Sequence, residues 1–197
     1  MDNTHLFELL NAGPGLAPTQ LLLAVLLAKW LIVAVPVVMA WAWVCGSLSA
    51  RAELLEILLA VLLALAVAQI VALVWPQPRP FTLHLGTQYL AHADDPGLPS
   101  DHVTVFWSLA LSALLTRRFA PWGFPLLAVG LTVGWSRVYL GVHFPYDIFA
   151  ALPVALAGAL AAHGLRRRAA AGFTRLLDYD DRWRSAVGGW FRRLRRP

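Results

Sequence analysis

Charged side chains make up only 14% of the 197 residues, against about 25% in an ordinary soluble domain. That shortage, set beside 59% hydrophobic residues and a mean hydropathy of +0.63, excludes a soluble globular fold. It implies an integral membrane protein. Cysteine is nearly missing as well. Cys45 stands alone, which excludes an intrachain disulfide and any thiolate metal cluster. The chain has no H-E-x-x-H and no Cys/His quartet, so no metal site is expected and no cofactor with it. The N-terminus, MDNTHLFELL, lacks the basic region that opens a secretory signal. Its first apolar stretch therefore reads as a retained helix.

What charge there is lies unevenly. Ten arginines and three aspartates fall within residues 166–197 and give that segment a net charge of +7, whereas the rest of the chain nets −2. The sequence pI near 10.1 thus describes a tail. It does not describe a nucleic-acid-binding surface, and no nucleic-acid module is present.

Apolar runs over residues 21–44 and 54–74 are each long enough for the roughly 20 residues that cross a hydrocarbon core. Three shorter candidates cover 100–116, 121–135 and 145–165, each interrupted by polar groups at one end. The expected fold is all-α, a polytopic membrane bundle of about five transmembrane helices. Arg51, the Arg117–Arg118 pair and Arg166, Arg167 and Arg168 occupy alternate connections, which places all of them in the cytoplasm by the positive-inside rule. The N-terminus and the loops 75–99 and 136–144 then share the outer face. Arg79 and Arg137 are the basic residues on that face, against the charge bias, and an anionic partner would account for them.

Residues 1–168 form the expected membrane domain and 169–197 a basic amphipathic tail. In the tail, Phe173, Leu176, Leu177, Trp183, Val187, Trp190, Phe191 and Leu194 alternate with arginines. This spacing suits a helix lying on anionic lipid headgroups, with Gly188 and Gly189 expected to interrupt it. A plain solvated tail is the simpler alternative.

Three polar clusters fall on the outer face. The first runs Ser136-Arg137-Val-Tyr-Leu-Gly-Val-His143-Phe-Pro-Tyr-Asp147. Pro145 suits the first turn of a helix, which sets Asp147 within reach of one nitrogen of His143. The other nitrogen is then unprotonated and aimed outward, as a nucleophile requires. The helix N-terminus beside it favours an anion, so phosphorus is the natural electrophile. In the second cluster, Pro99-Ser100-Asp101-His102, Ser100 reads either as a plain N-cap or as part of a phosphate cradle with the amides that follow. His102 can act as general acid. Asp101 either tunes His102 or faces the helix dipole. The third, Pro78-Arg79-Pro80, offers with Arg137 a planar clamp for an oxyanion, where a snorkelling arginine would be the structural alternative. His84 and His92 read as loop histidines, and His5 and His163 as structural. Lys29 and Glu56 lie in or near the spans without a partner that the sequence names.

These clusters resemble the type-2 phosphatidic acid phosphatase superfamily, whose motifs run K-x6-R-P, P-S-x-H and S-R-x5-H-x3-D. The second is intact in Pro99, Ser100 and His102, and the third in Ser136, Arg137, His143 and Asp147. The first keeps Arg79 and Pro80, but Ala72 stands where the lysine is expected. Within the superfamily the chain is similar to bacterial undecaprenyl-diphosphate phosphatases of the bacitracin-resistance type. The resemblance implies an inner-membrane enzyme with its site facing the periplasm or outer surface, while the missing metal motifs predict a metal-independent reaction and the arginine pattern a cytoplasmic C-terminus. It implies a polyprenyl diphosphate lipid as substrate. It also implies His143 as nucleophile, Asp147 orienting it, His102 as acid, and Arg79, Arg137, Ser100, Asp101 and Ser136 around the phosphate. A glycerolipid phosphatase acting on phosphatidylglycerophosphate, phosphatidic acid or diacylglycerol pyrophosphate is the alternative. A non-catalytic lipid-diphosphate-binding protein is the second, and it would have no use for the His143–Asp147 pair. The oligomeric state is left open.

Overall fold

The structure is a computed structural model that describes residues 2–194, apart from the side chains of 167, 184 and 186–194. Among the described residues every regular element is helical. The α-helices are α1 (Asn3–Leu10), α2 (Pro18–Val25), α3 (Ala34–Cys45), α4 (Leu48–Val74), α5 (Asp101–Leu115), α6 (Ala120–Tyr139) and α7 (Pro145–Leu194). The all-α expectation holds. The number of spans is less simple.

Three helical stretches are long and apolar enough to cross a bilayer: Pro18–Cys45, Leu48–Val74 and Pro145–Arg166. The other two expected spans form as helices but fall short of that standard. With 15 residues, α5 extends about 22 Å at 1.5 Å per residue, less than the roughly 30 Å core. The 20-residue α6 contains Pro125 and carries Arg137 in its last turn. Both helices surrender apolar length to the polar groups at the end they share.

The core is built from small residues. Ala60, Ala64 and Ala68 of α4 and Ala151, Ala155, Ala159 and Ala162 of α7 are completely buried. A Cβ at Gly158 would lie 2.6 Å from the Ala60 carbonyl oxygen and 2.7 Å from the Ala64 Cβ, so only glycine lets α7 come this close to α4. Membrane helices gain little from burying apolar surface against each other, and close backbone approach replaces that driving force. On α5, the hydroxyl residues Ser100, Thr104, Ser108 and Ser112 recur every fourth position and are all buried, which keeps the face toward the bundle slim.

Pro18–Cys45 is not uniform. Between α2 and α3 it loosens into a π turn at Leu26–Trp30 and then a 3₁₀ turn at Leu31–Val33. A single π turn inside an α-helix often marks a functional position, and this one lies against the site described below.

The tail departs from expectation in one respect. Helix α7 runs on through Gly188 and Gly189 to Leu194, so the glycines do not interrupt it. Beyond the span, Asp180 accepts from Arg51 at 2.8 Å and from the Trp43 indole at 3.4 Å. The tail helix is thereby tied to the junction of α3 and α4. The expected apolar positions from Val187 onward lie outside the described side chains.

Candidate active site

The site forms where the C-terminal end of α6 and the N-terminal ends of α5 and α7 meet the long loop between α4 and α5. Local sequence sets its centre. His143 precedes the first turn of α7, and the carboxylate of Asp147 folds back over that turn. Its Oδ2 accepts the Phe144 N–H at 2.8 Å and the His143 Nδ1–H at 3.1 Å. A carboxylate only accepts, so Nδ1 carries the proton and Nε2 presents a lone pair. Both residues are about 98% buried.

Nε2 does not point outward, as the sequence had suggested. It faces Nη1 of Arg79 at 3.1 Å. The proline-flanked segment Pro78-Arg79-Pro80 brings this guanidinium under the loop, where Nη1 also donates to the Val142 carbonyl at 2.9 Å. Nε donates to Asp95 through its carbonyl at 2.9 Å and its carboxylate at 3.0 Å. Gly97 makes the approach feasible, since a Cβ there would meet Asp147 Oδ2 at 3.0 Å and Arg79 Cγ at 3.3 Å. Burial is the main force holding His143 well below its ordinary pKa of 6.5, and the charges of Arg137 and then Arg79 add to it. A neutral imidazole with a free lone pair is the nucleophilic form.

Arg137 sits on the last turn of α6, 2% exposed. Its Nη1 donates at 3.0 Å to the carbonyl of Ala28, which lies inside the π turn. There the helical hydrogen-bond ladder is displaced and a carbonyl can turn to a side chain. Nη2 donates at 3.0 Å to His92 Nε2, while Nε is buried with no partner. Among the described residues Arg137 forms no salt bridge with a carboxylate. A buried guanidinium left this way is costly unless something anionic completes it.

Ser100 stands at the N-cap of α5, but its hydroxyl makes no capping bond and is buried without a partner. The N-cap explanation therefore fails for its side chain, because a buried orphan hydroxyl costs about 1–3 kcal/mol. The Ser100 N–H donates to the Asp147 carbonyl at 3.1 Å, which locks the starts of α5 and α7 together. His102, partly exposed two residues further on, is within electrostatic reach of Arg137, His92 and Arg79. Asp101 and Ser136 have internal partners instead. Asp101 accepts from Gln69 of α4 at 3.4 Å, and the Ser136 hydroxyl donates to the Val133 carbonyl at 2.7 Å.

Two residues of the site escaped the sequence reading. His92, taken as a loop histidine, contacts Arg137 and lies edge-on to His143 with ring centroids 6.3 Å apart. Asp95 pairs with Arg79 at 3.0 Å and approaches His92 Nδ1 at 3.4 Å. Their one sequence signal was position, since both lie on a loop assigned to the same face as two arginines lacking counter-charges. Among the described residues, no group of three or more His, Cys, Asp or Glu is placed to hold a metal ion. The site's chemistry is that of an anion pocket: two buried guanidiniums, an orphan hydroxyl, and an imidazole base aligned by a carboxylate.

Comparison with known proteins agrees with that chemistry. A YbjG protein of Escherichia coli K12, provisionally named an undecaprenyl-diphosphatase, is 38% identical over 161 residues, covering 81% of this chain and 80% of its own. Undecaprenyl-diphosphatase BcrC of Bacillus subtilis 168 is 31% identical over 153 residues, 76% of this chain and 78% of the relative. In fold, the chain is similar to the crystal structure of Aquifex aeolicus LpxE, with a TM-score of 0.66 at 18% identity, covering 80% of this chain and 92% of that one. The PAP2 superfamily profile matches residues 53–190, a stretch that holds Arg79, Ser100, His102, Arg137, His143 and Asp147, and the chain belongs to that superfamily of phosphatases.

Proposed function

We propose that this membrane phosphatase hydrolyses undecaprenyl diphosphate to undecaprenyl monophosphate and phosphate, and so supports recycling of the cell-wall carrier lipid and resistance to bacitracin. The observation that carries the reading is the His143–Asp147 pair, whose unprotonated Nε2 lies among two buried guanidiniums and the orphan Ser100 hydroxyl. The undecaprenyl-diphosphatase names of both relatives supply the lipid.

In this mechanism the terminal phosphoryl group displaces Arg79 from Nε2. His143 Nε2 then forms a bond to phosphorus as the bond from phosphorus to the bridging oxygen breaks. The electron pair goes to the lipid monophosphate, and His102, which takes up a solvent proton as the arriving phosphoryl group offsets the charges of Arg137 and Arg79, donates to it. Water next attacks the phosphohistidine, giving a proton to His102 as the N–P bond breaks and its electron pair returns to Nε2. Asp147 holds the ring and stabilises its charged form throughout. Arg79, Arg137 and Ser100 bind the equatorial oxygens, where charge develops in the transition state.

The site faces the periplasm or outer surface in this reading, and the C-terminus the cytoplasm. Arg51, Arg117 and Arg118 support that assignment. The latter two line one recess with Ser49 and Glu53 near the start of α4, and Arg51 pairs with the tail helix. The motif clusters lie beyond the far end of α4. The basic tail then rests on anionic lipid at the inner leaflet.

Phosphate release from undecaprenyl diphosphate by purified protein in detergent with EDTA tests the proposal. The parent should turn over, and His143→Ala should lose on the order of 10⁴-fold or more, as nucleophile removals do. Equal residual rates in His143→Ala and Ser100→Ala would overturn the nucleophile assignment. Faster release from phosphatidic acid, phosphatidylglycerophosphate or diacylglycerol pyrophosphate at matched surface concentration would reassign the lipid.

A further inference from the structure

The first family motif is incomplete here. Ala72 occupies the position of the expected lysine, and the sequence contains a single lysine, Lys29. Lys29 is exposed, with its ammonium 5.6 Å from the Trp30 ring centre. It is not among the partners of Arg79, Arg137 or His143. We infer that His92 is a phosphate-contacting residue of this enzyme, supplying from the α4–α5 loop the cationic donor that the missing lysine would supply from α4. This inference rests on the phosphatase reading above and adds a residue to its site.

The geometry assigns His92 a defined resting state. Its Nδ1 lies 3.1 Å from the Ala93 carbonyl, which only accepts, so Nδ1 carries a proton. Nε2 lies 3.0 Å from Nη2 of Arg137, which only donates, so Nε2 is an acceptor and the ring is neutral. Each contact uses the other nitrogen, so the tautomer is fixed from both sides. Neutral imidazole is a weak partner for a guanidinium. It occupies the Arg137 donor without cancelling its charge.

An arriving phosphoryl group reverses this arrangement. Its oxygen takes the Nη2–H of Arg137, and His92 Nε2 loses the donor it was accepting from. With negative charge now beside it, Nε2 takes a proton from solvent, which reaches the 22%-exposed side chain. It then donates to the same oxygen. One proton is gained and no other covalent bond changes. The charged and titratable groups facing His92 are Arg137 on α6, Arg79 and Asp95 on its own loop, His143 before α7 and His102 on α5. In the resting site, burial first, then Arg79 and Arg137, lower the His92 pKa from 6.5, opposed by the Ala93 carbonyl and Asp95. The two guanidiniums that add to burial in holding it neutral are the ones whose charge the phosphoryl group offsets.

The test uses orthovanadate, a phosphate analogue whose binding requires no turnover, titrated by ⁵¹V NMR into full-length protein in detergent. The parent, His92→Ala, His92→Gln and His92→Lys would be compared at pH 6.5 and pH 8. A charge-assisted hydrogen bond of this kind corresponds to about tenfold or more in affinity, so His92→Ala and His92→Gln should bind at least about tenfold more weakly. His92→Lys should stay close to the parent, which also shows that the loop tolerates replacement. Between pH 8 and pH 6.5 the parent should gain affinity relative to His92→Gln. That ratio cancels the titration of vanadate itself. Parent-like affinity in His92→Gln, an unchanged ratio between the two pH values, or no vanadate binding by the parent would each overturn the inference. Vanadate held through His92 by a protein that releases no phosphate from any lipid would instead refute the proposed function and leave this contact standing.

Discussion

The two ends of the bundle hold the same kinds of side chain and use them in opposite ways. At the end near the start of α4, Arg51 meets Asp180 at 2.8 Å and the Trp43 carbonyl at 2.9 Å, and His163 meets Glu56 at 2.7 Å. Arg51 and His163 there each meet a carboxylate. At the other end Arg137 has a neutral imidazole and a backbone carbonyl, with its Nε left over, and Ser100 has nothing. Burial is comparable, with Arg51 at 8% and Arg137 at 2% exposed. The residue types therefore do not mark the site. The unfinished electrostatics does, because a fold tolerates unpaired buried charge where a ligand is to complete it.

The sharpest way to break this contrast is to remove one arginine from each end. Arg137→Met should cut kcat/KM for the lipid diphosphate by about 10²–10³, the usual loss for one preorganised charge contact. Its melting temperature in detergent should be equal to or above the parent's, since an uncompensated buried charge leaves with it. Arg51→Met should do the reverse. It removes the guanidinium from Asp180 and should cost about 2–3 kcal/mol of stability, less than a fully buried pair because Asp180 keeps some solvent. Its activity per folded molecule should match the parent. A destabilised Arg137→Met with ordinary activity would erase the distinction between the two ends.

A smaller effect is expected at Ser100. Replacing it with Ala should lower kcat/KM by about tenfold, one hydrogen bond to a charged group, while leaving the melting temperature unchanged or slightly raised. A clear loss of stability would show that the hydroxyl serves the fold after all.

The gentlest probe is pH. His143 is neutral in the folded state because its pKa lies well below 6.5. Unfolded, it takes up a proton near that ordinary value, so the unfolded chain binds more protons as pH falls. The contribution of the buried neutral ring to stability is thus intact above pH 6.5 and declines below it, down to the lowered folded value. Thermal melts of the parent across that window should fall more steeply than those of His143→Gln. Parallel curves would refute the buried neutral assignment. Because Nε2 is already unprotonated at neutral pH, turnover should not fall as pH drops from 8 to 7 through loss of the nucleophile.

What the sequence alone determined is what lies within a turn or two along the chain. Asp147 follows His143 by four positions, and a proline at the first helical position fixes the turn between them. Their pairing follows from helix geometry and needs no knowledge of the rest of the fold. The same holds for Ser100 at the head of α5 and for the long apolar runs that fix the all-α membrane class. The tertiary structure decided the rest. It turned His143 Nε2 toward Arg79 instead of outward, left the Ser100 hydroxyl without a partner, carried α7 unbroken through Gly188 and Gly189, and set Asp180 of that helix against Arg51. It also folded the α4–α5 loop back so that His92 and Asp95 meet arginines 45 and 16 positions away, and it set the Ala28 carbonyl of a π turn against an arginine 109 residues later. Contacts at such separations depend on how helices pack and where a loop closes, and no local periodicity encodes them. Backbone spacing gave His143 its carboxylate partner, and packing gave the site its buried guanidiniums.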